Sequence, residues 1–389
     1  MTRIAVVRAL RTPIGKYLGS LARTDDAAMG ETVVRALLDG IDVHVDELIF
    51  GSARQAGQGP NPARQISYRA DLGQETLAHT VNMACGSGLK SIVLGAQEIA
   101  LGRAEVVVAG GVENMSQVPF YLKKMREGYR LGNAPLVDGM YDDGFHCRLA
   151  DQVMGRTAET LAEQYDISRR EQDEFALASQ QKAGKAIEAG AFDAEKVPVT
   201  VKVKREEVSF HTDEHVRANT TIEKMAKLPP VFKDDGTVHA GNSSGITDGA
   251  AAVLLMSEER AKALGLEPLA IYEDYAAAGV DPKVMGISPV PATQKLMERM
   301  GVDIGAFDLI ELNEAFAAQV IACERELKFD RARLNVHGGA IALGHPIGCT
   351  GARIVVTLLH AMQRHEAARG LATLCISGGQ GLAASFVRP

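Results

Sequence analysis

The sequence predicts an α/β protein of two similar halves with an inserted loop domain. A strand, turn, helix, strand order runs through residues 80–111, and the same order returns in residues 334–379. Between them, residues 119–245 are rich in charge and in short loops. Because a repeated α/β unit can bury its sheet against helices at a shared centre, we expect the halves to be related by a pseudo-twofold axis.

The first half is assigned to residues 1–118 and is completed by residues 246–268. Apolar strands are predicted at residues 3–7 and up to Phe50, and a helix is predicted between Cys85-Gly-Ser-Gly and Leu101. A buried strand at residues 106–108 follows and ends in a glycine pair. The returning segment supplies a strand at 250–256 and a helix that starts at Ser257 and stops at Gly265.

The insert and the second half follow the same logic. In the insert, Ser168 and Glu171 have capping-box spacing, which predicts a helix that runs to Gly190. The second half is assigned to residues 269–389. It is predicted to contain a strand at 334–336, a glycine-rich turn, a helix to about His365 and a strand at 373–376.

Composition excludes several classes of function. A formal net charge of −7 over 389 residues gives no general attraction for nucleic acid or anionic lipid, and we expect neither as a partner. Its five cysteines contain no C-x-x-C pair, so we expect reduced thiols and no metal. Neither a signal peptide nor an apolar run of membrane-spanning length is present, which predicts a cytoplasmic location.

Cys85 is the candidate nucleophile. It follows a predicted strand and precedes small residues and a helix, so its sulfur would face the unpaired N–H groups of a helix N-terminus. Such a position favours the thiolate, and the small neighbours leave room for a substrate carbonyl. The alternative is a buried structural thiol beside a tight turn.

Three further residues could join Cys85. His345 is followed by Pro346 and surrounded by glycines, so its imidazole is presented from a turn; the alternative is a hydrogen-bonding loop residue. Cys375 ends an apolar strand before two glycines, where a sheet exposes side chains to a crevice, and could otherwise be a small core residue. Asn313 follows a strand-like run and could orient water or a carbonyl, or cap a helix.

Five motifs in order along the chain carry a family resemblance. They are V-N-x-x-C-G-S-G at 81–88, G-G-x-E-N-M-S at 110–116, N-E-A-F-A at 313–317, G-G-A-I-A-L-G-H-P at 338–346 and C-I-x-G-G at 375–379. Together they resemble the thiolase family across nearly the whole chain. The resemblance implies two α/β halves, an inserted domain that binds coenzyme A, and a homo-oligomer that is a dimer or a dimer of dimers.

The same resemblance implies roles for these residues. Cys85 would take the acyl group from an acyl-CoA with His345 as its activating base, and Cys375 would exchange the α proton of acetyl-CoA. Asn313, through a water, would stabilise the enolate oxygen together with His345, and the backbone N–H groups of Cys85 and Ser377 would hold the thioester oxyanion. No covalently bound cofactor is implied, because coenzyme A and acyl-CoA are substrates.

The resemblance also places the coenzyme A contacts. They are Arg217, Phe232, Ser244, Phe316 and Met154. The expected activity is acetyl-CoA C-acetyltransferase, and the alternative is a 3-ketoacyl-CoA thiolase of fatty-acid β-oxidation with a broader chain-length range. Val153 stands where many acetyl-specific members carry a histidine, and Ser377 stands where the family pattern has glycine.

Three other classes share part of this pattern. A nicotinamide-dependent oxidoreductase is suggested by Gly86-Ser-Gly88 and by residues 379–384, but the first lacks a third small residue and the second leaves no room for a helix. A non-catalytic acyl-CoA carrier on the same fold is disfavoured, because it would not need Cys85, His345, Cys375 and Asn313 together. A condensing enzyme is also cysteine-based, and the second thiol favours a thiolase over it.

Overall fold

Strands and helices alternate through both ends of the chain in the computed structural model, which describes residues 2–389. The strands are β1 (Ile4–Arg11), β2 (Gly15–Lys16), β3 (Glu47–Gly51), β4 (Leu77–Val81), β5 (Val106–Asn114), β6 (Phe120–Tyr121), β7 (Val137–Asp138), β8 (His146–Cys147), β9 (Gln152–Val153), β10 (Val199–Val203), β11 (Glu206–Phe210), β12 (Thr247–Ser257), β13 (Ala270–Gly279), β14 (Leu309–Leu312), β15 (Arg369–Ile376) and β16 (Gln380–Val387). The α-helices are α1 (Asp26–Leu38), α2 (Pro62–Arg69), α3 (Ser87–Ala100), α4 (Met154–Gln164), α5 (Arg169–Glu188), α6 (Ile222–Ala226), α7 (Glu258–Ala263), α8 (Pro289–Met300), α9 (Ala317–Leu327), α10 (Ala340–Leu343) and α11 (Ile347–Arg364). The predicted α/β class is confirmed.

One ten-stranded sheet joins the two halves. Its order is β14-β15-β16-β13-β1-β12-β5-β3-β4, with β2 paired to β12. At each outer end the strands pair in parallel, β3 with β4 and β5, and β14 with β15, whereas the inner strands pair antiparallel. The strand predicted at residues 250–256 is β12, which lies between β1 and β5.

Helices α3 and α11 lie against each other on this sheet, and both contribute to one apolar core with strands of both halves. Their backbones touch, because an ideal Cβ on Gly88 would lie 2.6 Å from the backbone nitrogen of Ala352, and one on Gly351 would lie 2.3 Å from that of Leu89. Glycine at these two positions therefore sets the separation of the helices. Cys85 precedes α3 and His345 precedes α11, so the contact brings the two loops together.

A buried ion-pair cluster fastens the insert to β1. Arg11 is fully buried; its Nη1 lies 2.7 Å from Asp213 Oδ1 and its Nε lies 2.5 Å from Glu195 Oε1. The guanidinium holds the pKa of Asp213 below its usual value, although burial alone would raise it. A fork of charge-assisted bonds of this kind fixes the orientation of the elements it joins.

Helix ends predicted from capping residues agree with the structure. Ser168 caps α5 by accepting from the Glu171 backbone nitrogen, and Ser257 caps α7 in the same way from Arg260. The strand predicted at residues 334–336 is wrong, since only a single bridge joins Leu334 to Ile310. Asn335 has a φ of 41°, and its side-chain amide hydrogen-bonds both the backbone nitrogen and the carbonyl of Leu312. The chain therefore turns at this residue.

Within residues 2–389, none of the helices has both the length and the apolar character needed to cross a membrane.

Replacing Gly88 by alanine tests the helix contact. The added methyl group would meet backbone atoms of α11, which cannot rotate away, so we expect the free energy of unfolding to fall by about 1–3 kcal/mol. Gly279→Ala is the matched control, because its nearest neighbour would lie 3.9 Å away. Chemical denaturation measures both variants, and equal stability of Gly88→Ala and wild type would contradict the tight contact.

Candidate functional site

A cavity of about 480 Å³ lies where the two halves meet the insert. It is lined by most of the residues that the sequence singled out, namely Cys85, His345, Cys375, Ser377, Arg217, Phe232, Ser244, Phe316 and Met154. Asn313 is fully buried and does not line the cavity, although Ala315 and Phe316 from the same loop do. Residues from both halves and from the insert therefore share one chamber.

A tight turn presents Cys85 to this cavity. Ala84 adopts a left-handed conformation, with φ of 45°, which is uncommon for a residue with a side chain. The Ser87 hydroxyl accepts from the Met83 nitrogen at 2.9 Å and donates to the Ala84 carbonyl at 2.6 Å. Helix α3 starts at Ser87, so the turn places the sulfur just ahead of the first helical residue.

Burial raises the pKa of the Cys85 thiol, which corrects the expectation that the helix N-terminus favours the thiolate. Loss of solvent around the sulfur outweighs three opposing effects, namely the N–H group of Ser377, the Arg54 charge and the N–H group of Cys85 itself. In the resting site Cys85 is therefore a neutral thiol. Its reaction as a nucleophile requires a base.

His345 has the protonation state of such a base. Burial, reinforced by the charges of Arg353 and Arg54, lowers its pKa to about 3, so the imidazole is neutral at physiological pH. Its Nδ1 lies 2.6 Å from the Thr350 hydroxyl, which itself donates to the Pro346 carbonyl at 2.9 Å. The hydroxyl oxygen thus accepts from Nδ1–H, which leaves Nε2 as the nitrogen that can take a proton.

Cys375 supplies a second buried thiol. It lies one residue before the end of β15 and is almost fully buried. Burial, together with the neighbouring Cys85 and Cys323, raises its pKa well above the ordinary value. Cys375 is therefore protonated at rest and can donate a proton into the cavity.

Asn313 lies behind the cavity wall in a loop that Glu314 fixes. Both amide atoms of Asn313 lack a hydrogen-bond partner in residues 2–389. The Glu314 carboxylate accepts from Ser179 Oγ at 2.7 Å, Asn335 Nδ2 at 2.8 Å and the Ile341 nitrogen at 3.2 Å. These bonds tie the Asn313 loop to the segment that leads into His345.

A second, more polar pocket of about 230 Å³ adjoins the cavity and shares His215, Arg217 and Ala240 with it. Lys224 also lines it. The Arg217 and Lys224 charges make this pocket suited to an anionic group. His215 Nδ1 bonds to the Ala342 carbonyl at 2.9 Å, and burial lowers the pKa of His215.

The polar residues of the site that escaped prediction include Arg54, Thr350, His215 and Lys224. Thr350 lies five residues after His345, in the first turn of α11, so the local spacing was a usable signal. Arg54 follows β3, and its position at the carboxyl end of a strand was the other signal. Nothing local to the sequence brings His215 to the cavity.

The fold and this site define the class of protein. The family model described as "Thiolase, N-terminal domain" matches residues 4–259, and "Thiolase, C-terminal domain" matches residues 266–388. The chain belongs to the thiolase family.

Relatives and solved structures agree along the full chain. An acetyl-CoA acetyltransferase of Pseudomonas aeruginosa is 53% identical to this chain, and the similarity covers 100% of both chains. One of Escherichia coli is 51% identical over 98% of each chain. The crystal structure of the Bacillus anthracis acetyl-CoA acetyltransferase has a TM-score of 0.98 at 45% identity, covering 100% of this chain and 99% of that one. The crystal structure of human mitochondrial 3-ketoacyl-CoA thiolase in complex with CoA has a TM-score of 0.96 at 41% identity. The match covers 100% of this chain and 98% of that one.

The pH dependence of Cys85 alkylation tests the protonation state of the site. Because burial raises the thiol pKa, we expect slow reaction with iodoacetamide near neutral pH and a rate that still rises above about pH 9. Peptide mass spectrometry measures the modified fraction, with Cys85→Ser as the control for the other thiols. A rate that levels off below neutral pH would show a resting thiolate and contradict this assignment.

Proposed function

We propose that this chain is an acetyl-CoA C-acetyltransferase that cleaves 3-ketoacyl-CoA with coenzyme A and catalyses the reverse condensation of two acetyl-CoA molecules. One observation carries the proposal: two thiols and a neutral imidazole, from Cys85, Cys375 and His345, line a single cavity beside the Ser377 backbone. The full-length relatives named acetyl-CoA acetyltransferase support it.

In the first step of cleavage, Cys85 attacks the 3-keto carbonyl carbon. Its proton passes to Nε2 of His345 as the carbon–sulfur bond forms, so no free thiolate is needed beforehand. This transfer suits the two groups, because burial keeps both neutral before substrate binds. The carbon–carbon bond then breaks, leaving an acyl group on Cys85 and the enolate of acetyl-CoA.

Cys375 takes the carbanion side of the reaction. Its raised pKa keeps a proton on the sulfur, and that proton goes to the α carbon of the departing enolate. The thiol of coenzyme A then attacks the acyl group on Cys85 and gives its proton to the Cys375 thiolate. The Cys85 sulfur leaves and recovers its proton from His345, and the shortened acyl-CoA is released. In condensation the same steps run backwards, and the Cys375 thiolate removes the α proton.

Developing oxygen charges require donors in this buried site. We assign the thioester oxyanion to the backbone N–H groups of Cys85 and Ser377, both of which point at the Cys85 sulfur region. We assign the enolate oxygen to His345 and, through a water, to Asn313, whose side chain lies behind the cavity wall. The unpartnered amide of Asn313 supports this assignment, since a buried polar group without a partner is costly unless a ligand or water meets it.

Coenzyme A would run from the reaction chamber toward the polar pocket. Met154, Phe232 and Phe316 give an apolar wall for the pantetheine arm, with the two phenylalanine rings 6.0 Å apart in edge-to-face contact. Ser244 offers a polar group on the same path. Arg217, together with Lys224, would meet phosphate groups of the nucleotide end.

A broader 3-ketoacyl-CoA thiolase is the second candidate. Val153 lines the cavity and presents a small apolar side chain, and the cavity volume is that of a typical ligand pocket. The similarity to human mitochondrial 3-ketoacyl-CoA thiolase favours the same alternative. The two candidates share every chemical step and differ in the acyl chain that the chamber admits.

We further propose a cytoplasmic homo-oligomer, a dimer or a dimer of dimers, built on the domain division 1–118 with 246–268, 119–245 and 269–389. Strand β4 lies at a sheet edge, and Leu77 within it is exposed. Exposed apolar side chains also cluster in the insert, including Phe120, Met125 and Leu131. Open strand edges and exposed apolar patches are the surfaces that subunit contacts cover.

Thiolysis assays test the function. We expect wild type to cleave acetoacetyl-CoA in the presence of coenzyme A, and Cys85→Ala to lose at least about 1,000-fold in kcat, because the mutant has no nucleophile. Loss of absorbance of the 3-ketoacyl-CoA enolate measures the rate. Cys147→Ala, a buried thiol outside the cavity lining, is the matched control and should keep activity.

The substrate ratio separates the two candidates. A strong preference for acetoacetyl-CoA over 3-ketohexanoyl-CoA identifies the acetyl-specific enzyme, and comparable rates identify the broader thiolase. Failure of wild type to cleave any 3-ketoacyl-CoA would contradict the proposed function.

A further inference from the structure

The glutamate of the G-G-x-E-N-M-S motif at 110–116 has no role in the steps above. Glu113 lies in β5, is fully buried and does not line the cavity. Its Oε2 accepts from the backbone nitrogens of Ala53 at 3.1 Å and Gly348 at 2.7 Å, and its Oε1 accepts from that of Arg54 at 2.9 Å. Three N–H groups on one buried carboxylate form a strong and directional anchor between the first half and the second.

One side of this anchor leads to the nucleophile. The Ala53 carbonyl accepts from Asn82 Nδ2 at 3.3 Å, and Asn82 Oδ1 accepts from the Ala84 nitrogen at 3.0 Å. Ala84 directly precedes Cys85 and has the left-handed backbone conformation that turns the chain there. The Asn82 side chain therefore fastens the Cys85 turn to the loop that Glu113 holds.

The other side of the anchor leads to the base. Gly348 lies in the first turn of α11, three residues after His345. An ideal Cβ on Gly348 would lie 2.7 Å from the Ser52 Cα and 2.8 Å from the Ala53 nitrogen, so α11 begins directly against the loop after β3. A carboxylate at a helix N-terminus is also favoured by the unpaired N–H groups there. Glu113 is thus linked to both turns that carry the reacting groups.

We propose that Glu113 is a positioning residue for acyl transfer: its carboxylate holds the Cys85 and His345 turns at the separation that lets the thiol proton pass to the imidazole. This inference rests on the proposed thiolase function and adds to it a residue that acts through two others. The glycine contacts let α3 and α11 approach, and the carboxylate fixes the loops ahead of them. Proton transfer needs its two atoms within hydrogen-bond reach, and a displacement of about 1 Å can slow a reaction about 100-fold.

Two other roles for Glu113 make different predictions. Its negative charge raises the pKa of Cys85, so a purely electrostatic role predicts a more acidic and more quickly alkylated thiol once the charge is removed, with no loss of kcat. A purely structural role predicts a lower free energy of unfolding, with kcat unchanged in the folded enzyme. A positioning role predicts a loss of kcat in a folded enzyme whose KM for coenzyme A is unchanged.

Glu113→Gln in the full-length enzyme tests the proposal by thiolysis of acetoacetyl-CoA. The amide keeps the shape of the side chain but has one acceptor oxygen, so its NH2 group would face a backbone N–H. We expect kcat to fall about 10- to 100-fold and KM for coenzyme A to stay the same. Asp46→Asn is the matched control and should keep kcat. Asp46 also accepts from two backbone nitrogens, those of Glu105 at 2.7 Å and Val106 at 2.9 Å, but it lies before β3, whereas Ala53 follows that strand.

Asn82→Ala gives an independent variant, since it leaves the three bonds of Glu113 in place and cuts only the link to the Cys85 turn. It should also lower kcat, and the double variant should be no slower than Glu113→Gln alone, because both changes break one connection. Chemical denaturation reports whether each variant is folded, and Asn82→Ala decides alone if Glu113→Gln does not fold.

Unchanged kcat in folded Glu113→Gln or Asn82→Ala, or losses that multiply in the double variant, would overturn the proposal. No thiolysis of acetoacetyl-CoA by wild type would overturn the proposed function instead.

Discussion

The close contact of helices α3 and α11 is the constraint on which the site depends. Each helix begins just after a loop that carries chemistry, Cys85 before α3 and His345 before α11. Because Gly88 and Gly351 allow the backbones to touch, residues from the two halves meet in one chamber. A third glycine extends this contact, since a Cβ on Gly111 of β5 would lie 2.2 Å from the Gly348 carbonyl. Nucleophile and base thus owe their proximity to residues that have no side chain.

The same packing decides the electrostatics. Removal of water raises the pKa of Cys85 and Cys375 and lowers that of His345, so the groups stay neutral until a substrate arrives. A neutral thiol and a neutral imidazole in one cavity avoid an isolated buried charge, and proton transfer then accompanies bond formation. Both amide atoms of Asn313 and the Nε of Arg54 lack a hydrogen-bond partner in residues 2–389. Buried polar atoms without a partner are typical of functional sites.

Much of the fold was readable from local patterns. The capping residues Ser168 and Ser257 predicted where α5 and α7 begin, and runs of apolar residues predicted β3, β5, β12 and β15. The strand predicted at residues 334–336 was wrong, because the side chain of Asn335 hydrogen-bonds the backbone of Leu312, which the sequence does not show. The motif residues were found because each lies at a strand end or beside a glycine turn.

The charge states of the site residues could not be predicted from the local sequence. The helix N-terminus near Cys85 suggested a thiolate. Burial, which depends on α11 and the insert, instead raises the pKa of Cys85 and keeps it a neutral thiol. His215 comes to the cavity from a segment distant in sequence from the motifs, so only the tertiary fold reveals it. Spacing predicts which residues are available for chemistry, and packing determines their charge.

The most direct test of the account is to trap the acyl group. Wild type incubated with acetyl-CoA alone, quenched in acid and digested, should carry one acetyl group as a thioester on the peptide that contains Cys85, as measured by mass spectrometry. Addition of coenzyme A before the quench should remove it, because the second half-reaction returns the acetyl group. An acetyl group on Cys375 in place of Cys85, or none on any cysteine of an enzyme that cleaves acetoacetyl-CoA, would contradict the assignment of Cys85 as the nucleophile.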